Sequence, residues 1–452
     1  MKESPEDIQS VRRELKHLAW PVMLQNIFMS LMFFSDIIML GHYKDSEVAL
    51  AAVGLSGPIT MMIRFTLMSV ATAAMAMVAR SYGEKNSVKT SANASTALLL
   101  GIVIGSIVSL VGATVSGSMI SFFVEPDSGL YQQATLYLSI TLSAFVMNYL
   151  FLICTAILRG VGDTKTPMLI TIFSNLLNII GDYILIYGKL GFPEMGVKGA
   201  AISTLVSSCV EGLILFFFIF SNKSSIKLSI RSFWLVNKAT MKTLLKIALP
   251  AAFEPMITSM GSLLFLKIVA GLGQASLATH HIILRIESLS FMPGLGLSMA
   301  TGALVGRYLG AKRIDLAELT TKQALMFAIV IMSGVGLTFI LFPSFIIMIF
   351  TTNKNIVSLG VTCLMIAAIE QPLLGYAMIH QGTFRGAGDT TTPLFINIIC
   401  VWLIRLPLAF LFANVLNWGL LGIWMTMPID WLMRAIIYKA VHKRGNWQKI
   451  RI

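Results

Sequence analysis

The sequence predicts an all-α polytopic membrane protein, with twelve transmembrane helices arranged as two six-helix lobes related by a parallel internal repeat. Three observations carry that expectation. Of 452 residues, 56% are hydrophobic and 12% are charged, and the mean hydropathy is +0.80. A soluble domain carries roughly a quarter charged residues, so this chain has too little polar surface to face water. The apolar residues arrive in stretches of about 20 or more, the length that crosses a hydrocarbon core of about 30 Å. Two short motifs also recur in the same order, and at nearly the same offset, in the two halves.

Taken in order, the spans of the first half fall at 15–41, 55–79, 92–122, 130–158, 166–187 and 199–220, and those of the second at 244–271, 277–305, 317–342, 357–382, 393–415 and 419–441. In a bilayer every backbone polar group needs a partner within the protein, and runs of this length meet that demand as helices. Several exceed what a membrane requires, which implies tilt or protrusion. Pro21, Pro58, Pro250, Pro293, Pro372, Pro407 and Pro428 lie in or near these spans and bend or locally break them. The polar, basic stretch 221–246 divides the chain into a first lobe, 1–220, a cytoplasmic linker, and a second lobe, 247–452.

The net charge of +13 belongs to the loops of a membrane protein, and no nucleic-acid partner is expected. With both termini inside, about 25 of the 34 Lys and Arg fall on cytoplasmic segments, against about 4 (Lys44, Lys189, Lys198 and Lys354) on the other side. That asymmetry sets both termini on the cytoplasmic side, and the chain is expected to be multi-pass in the cell (cytoplasmic) membrane. The N-terminal segment is too long and acidic for a signal n-region, so no cleavable targeting peptide is expected. Cys154, Cys209, Cys363 and Cys400 lie within spans and lack metal-ligand spacing; they read as packing residues. Trp20, Trp402, Trp418, Trp424 and Trp431 read as interface anchors, and His280 and His281 as interfacial polar residues at the start of span eight.

RGVGDTKTP at 159–167 recurs as RGAGDTTTP at 385–393, and VARSYGEK at 78–85 recurs as VGRYLGAK at 305–312. Both offsets are about 226 residues, far beyond solenoid periods. Pro21 and Pro250 align at the starts of spans one and seven. Each half holds an even number of spans, so the copies share one membrane orientation, the parallel arrangement that supports alternating access around a central cavity. Within the motif, Gly160 and Gly162 can end a helix at positive φ. Asp163, Thr164 and Thr166 offer cap oxygens, and Pro167 suits the first turn of the next helix. The element reads as a tight cytoplasmic turn, with Asp163 and Asp389 as caps and not ligands.

These paired turns, with FSDIIMLGHY in span one, NLLNIIGDYILI in span five, GVKGAAIST before span six and LATHHIILRIESLSFMPGLGLSMATGALVGRYLGA across span eight, resemble the multidrug and toxic compound extrusion (MATE) family over nearly the whole chain. The resemblance implies a V-shaped bundle of two six-helix lobes that exports small organic, often cationic, compounds in exchange for Na+ or H+. The chain is expected to work among membrane lipids, as a monomer with a dimer left open by the sequence, and with no cofactor besides the coupling ion.

An ionisable group inside a span is costly and marks a functional candidate. In the first half these are Asp36 in span one and Asp182 in span five. Asn178 lies one turn before Asp182 on the same helix face, with Asn175 on the adjoining surface. Carboxylate, amide and hydroxyl oxygens are hard ligands for a small cation, and two close carboxylates can instead share a proton. The resemblance carries a family cation site onto Asp36, Asn178, Asp182 and Thr204, which would be the metal ligands if Na+ is the coupling ion. In the second half Glu254, Glu287 and Glu370 are intramembrane carboxylates and, with Asn175, candidates for contacting substrate. Some relatives carry a glutamate of span seven at the depth occupied here by Thr258, so a cation site of that type is not expected. No P-loop or catalytic constellation is present, so the chain is not expected to be an enzyme. A flippase for lipid-linked or amphipathic substrates, built on a related bundle, is the alternative; the few Arg and Lys within spans favour drug-like substrates.

Overall fold

A computed structural model describes residues 4–126, 128–226, 228, 237–450 and 452. Among these residues the regular structure is helical, without strands. Among the described residues, eleven helices are long and apolar enough to cross a membrane: Pro5–Gly41 (span one), Ser46–Gly83 (two), Ser87–Ser121 (three), Lys165–Tyr187 (five), Val197–Phe220 (six), Lys238–Ala270 (seven), Gln274–Gly310 (eight), Ile314–Leu341 (nine), Lys354–Gly386 (ten), Thr391–Val415 (eleven) and Gly419–Lys443 (twelve). Span four is the pair Gly129–Ser143 and Phe145–Gly160, bent by 43°. Each expected span is met by a helix, most of them extended at one or both ends, because helices continue past the hydrocarbon core into polar sequence. In span eleven the helix widens to π geometry at Ile399–Arg405 and Leu411–Val415, on either side of Pro407, whose missing N–H breaks the α ladder. Of the expected linker, residues 227 and 229–236 lie outside the described residues.

Large apolar side chains such as Leu110, Phe217, Leu263, Val330 and Leu403 stand on the outer surface. In water such a surface would aggregate; in a bilayer it is the solvated face.

The chain forms two compact units, Leu24–Ala248, and Met1–Met23 together with Leu249–Ile452. The expected boundaries shift at both ends. The leading turns of span one belong to the second unit, and those of span seven to the first. Periodicity explains the first exchange: Val11, Leu15, Leu18 and Ala19 recur on one helix face and bury against Leu297, Ala300 and Leu304 of span eight and Leu319 and Ala324 of span nine. Arg12 Nε donates to Gln323 Oε1 at 2.7 Å, and Tyr308 donates to Glu14 at 3.1 Å. Pro21 and Pro250 stand beside the two crossover points.

The repeated turn is built the same way twice. Asp163 Oδ1 accepts the Thr166 N–H at 3.0 Å, and Asp389 Oδ1 accepts the Thr392 N–H at 2.9 Å, so both aspartates cap the following helix. Thr164 makes no such cap. Gly162 and Gly388 supply the positive φ, at 92° and 86°. Gly160 remains helical and serves differently from the expectation: a Cβ there would press on the Met75 carbonyl at 3.0 Å. At its repeat partner, Gly386, a Cβ would overlap the Gly302 backbone carbonyl. Backbone cannot turn aside, so Gly386→Ala is expected to cost about 3 kcal/mol by overpacking, read as a drop in the apparent melting temperature of the detergent-purified protein.

Candidate functional site

Within the first unit, span one is tied to span five by three bonds. Gln25 Nε2 donates to Thr171 Oγ1 at 2.9 Å, Asn175 Nδ2 to the Phe28 carbonyl at 2.6 Å, and the Tyr187 hydroxyl to the Met39 carbonyl at 2.7 Å. They set the register that brings Asp36 to Asp182. Span six closes in because Gly181 has no side chain: a Cβ there would lie 2.5 Å from Ser203 Oγ. Ser203 donates to the Asn178 carbonyl at 2.8 Å and accepts from Asn178 Nδ2 at 3.2 Å.

The structure therefore gathers Asp36, Asn178 and Asp182 with Ser203, and Thr204 follows on the same span. Asp36 is 7% exposed, and Asn178 and Asp182 are fully buried. The two carboxyls meet side chain to side chain, with Ser203 beside Asp182 and Tyr137 of span four close to both. Their hydrogen bonding is incomplete. Asp36 Oδ1, Asn178 Oδ1, both carboxylate oxygens of Asp182 and Thr204 Oγ1 are buried without a donor in good geometry. Two adjacent carboxylates in a low-dielectric interior cannot both stay charged and bare. A proton shared between them, or a small hard cation drawing on these oxygens, answers the deficit. Among the described residues no three His, Cys, Asp or Glu side chains converge as they would for a transition metal.

The remaining candidates are placed differently. Asn175 spends its amide on the backbone of span one. In the second unit Glu254 is buried and held by Gln381 Nε2 at 2.6 Å and by Arg385 at 2.8 Å. Glu287 of span eight and Glu370 of span ten approach each other, buried, each with one oxygen lacking a partner. Nearby, Asp430 of span twelve binds Arg405 at 2.5 Å and Arg434 at 2.9 Å, and Arg434 stacks 4.8 Å from the Trp431 ring centroid. Two interfacial expectations fail. His280 and Trp424 are buried against each other, ring centroids 5.5 Å apart, with the Phe265 ring of span seven 5.8 Å from His280.

Besides Asp430, Arg405 and Arg434, two further intramembrane charges stand outside the sequence-based set of candidates, Glu211 and Arg64. Glu211 of span six accepts a hydrogen bond from Ser174 of span five at 3.2 Å, and Arg64 of span two lies within Coulombic range of it. The signal that would have found Glu211 is its spacing, since Ser203, Ser207 and Glu211 repeat the i, i+4, i+8 pattern of Ser174, Asn178 and Asp182.

The MatE family model matches residues 21–184 and 250–411, once in each half. A "Probable multidrug resistance protein NorM" of Thermotoga maritima is 33% identical over 445 residues, covering 98% of this chain and 95% of that protein. An "Uncharacterized transporter YisQ" of Bacillus subtilis is 28% identical, covering 96% and 94%. Among solved structures, "Crystal structure of MATE in the straight conformation" superposes with a TM-score of 0.89 at 23% identity, over 99% of this chain and 100% of that one. "Outward-facing conformation of a multidrug resistance MATE family transporter of the MOP superfamily" also gives 0.89 at 23%, over 100% of both. At that identity the likeness concerns the twelve-helix fold.

Proposed function

Because the chain belongs to the MatE family of multidrug efflux transporters, and is a multi-pass membrane protein and not an enzyme, we propose that it is a secondary active antiporter that expels small organic, often cationic, compounds in exchange for Na+ or H+. One observation carries this reading. The four residues Asp36, Asn178, Asp182 and Thr204 each present a buried oxygen with unmet hydrogen-bonding capacity, in one unit of one chain. The coupling ion is cargo, and these oxygens are what it would touch. Binding there stabilises whichever arrangement of the spans brings Asp36 and Asp182 together, and differential affinity between two arrangements is what couples an ion to movement. One chain holds the whole set, which supports a monomer as the working unit. The Lys and Arg distribution supports both termini lying in the cytoplasm.

Glu287 and Glu370 are the carboxylates we assign to cationic substrate, since they retain oxygens without partners, whereas Glu254 and Asn175 are already committed to Arg385 and Phe28. The relatives' multidrug names favour drug-like substrates over lipid-linked saccharides. The direct test is efflux of a cationic dye from proteoliposomes, with the Na+ and pH gradients imposed independently. Uphill movement driven by one gradient is expected. Dye movement indifferent to both gradients would sink the antiport reading.

A further inference from the structure

Spans five and six run antiparallel, and each turns one polar stripe toward the other. Span five contributes Ser174, Asn178 and Asp182, and span six Ser203, Ser207 and Glu211, each at i, i+4, i+8. The stripes interlock. Asn178 and Ser203 exchange bonds at 3.2 and 2.8 Å, and the Ser174 hydroxyl reaches the Ser207 carbonyl at 3.1 Å and Glu211 Oε2 at 3.2 Å. The seam thus has a carboxylate near each end. Asp182, fully buried, belongs to the ion site; Glu211 is half-buried, and the half-buried Arg64 of span two sits near it. The ion chemistry proposed above uses neither Glu211 nor Arg64.

We propose that Glu211 and Arg64 set the affinity of the Asp36–Asp182 site for its coupling ion, acting on it through space without touching it. The inference rests on the assignment of that site in the previous subsection. Eight residues of helix separate Ser174 from Asp182, about 12 Å. At that distance, and at an effective dielectric of about 20, one unit charge changes the affinity for a monovalent cation about tenfold. Salt screens a buried pair weakly. Glu211 strengthens cation binding and Arg64 weakens it, so in the native chain they offset one another. Among the described residues, the titratable and charged groups toward this region include Arg64 from span two, Tyr137 from span four, beside both aspartates, Asp36 from span one, and Arg159 from the end of span four, which reaches Thr171 of span five through Gln25. A purely packing role for the Glu211–Arg64 neighbourhood makes a different prediction, namely that either loss harms the protein in the same way.

The test uses the full chain in proteoliposomes, with dye transport measured against Na+ at fixed pH and against pH at fixed Na+. Glu211→Gln is expected to weaken the driving ion about tenfold, read as a tenfold higher half-saturating Na+ or, for H+, a midpoint about one pH unit lower. Arg64→Gln is expected to shift the same quantity the other way. The double variant moves back from the Glu211→Gln value toward the native one, and Glu211→Asp, which keeps the charge, stays near the native value. Should Glu211→Gln fail to accumulate in the membrane, the direction of the Arg64→Gln shift decides alone. The proposal is overturned if both single variants shift in one direction, or if neither shifts while Asp182→Asn is inactive. If Asp182→Asn itself retains full ion-driven transport, the site assignment has failed first, and that result is distinguishable from the others.

Discussion

Asp182→Asn is expected to abolish ion-driven efflux while leaving the protein folded and at least as heat-stable as the native chain. The two halves of that result have separate causes. Removing one carboxylate charge at about 4 Å from a monovalent cation forfeits about 4 kcal/mol at an effective dielectric of about 20, close to a thousandfold in affinity. At ordinary ion concentrations the site would then stay empty and the gradient would do no work. Stability follows a different rule. Both Asp182 oxygens lie buried without a hydrogen-bond donor in good geometry, and a buried, incompletely paired carboxylate opposes folding. An amide of the same shape relieves that strain and the repulsion from Asp36. Asp36→Asn should behave alike in transport. Dye counterflow, which needs no net ion movement, should persist in both variants. The measurements are gradient-driven efflux and counterflow in proteoliposomes, together with the apparent melting temperature. A variant that loses efflux only because it melts early would remove this support for the site.

Most of the architecture is legible in the sequence because a bilayer leaves the chain few choices. Length and apolarity fix where the spans lie, and the repeated RGxGDTxTP turn fixes their pairing into halves; its Asp163 and Asp389 caps form as the residue types require. Asp36, Asn178 and Asp182 are also findable, two from the cost of burying charge and one from its helical spacing. What periodicity does not encode is which partner a stripe selects. The Val11–Leu15–Leu18–Ala19 face reads equally well as packing on its own lobe or on spans eight and nine, and the structure shows the latter. His280 and Trp424 sit at plausible interface positions, yet each finds the other. Glu211 is a related case. Its cost of burial and its i, i+4, i+8 spacing with Ser203 and Ser207 mark it in the sequence, but its partner, Ser174 of span five, is visible only in the structure.

Glu254 shows how the repeat corrects a reading made one residue at a time. As an intramembrane carboxylate it invites a substrate role, but its counterpart four residues after the first-half proline is Gln25, and Gln25 Oε1 accepts from Arg159 at 2.7 Å just as Glu254 accepts from Arg385 at 2.8 Å. In both units the arginine of the repeated turn grips the span that carries the leading proline, Pro21 or Pro250. Glu254→Ala is therefore expected to cost about 3 kcal/mol, the lower end for breaking a buried pair, since the Arg385 side chain keeps 29% exposure and some of its hydration. Glu254→Gln should cost only about 1 kcal/mol, the net worth of a hydrogen bond, because the other unit already runs this contact with an amide. Thermal unfolding of the detergent-purified variants should rank native above Gln, and Gln well above Ala. The ion dependence of transport should not move in either variant. If instead Glu254→Gln melts like the native protein and loses a cationic dye while keeping a neutral one, the carboxylate binds substrate after all, and the arginine contact is incidental to it.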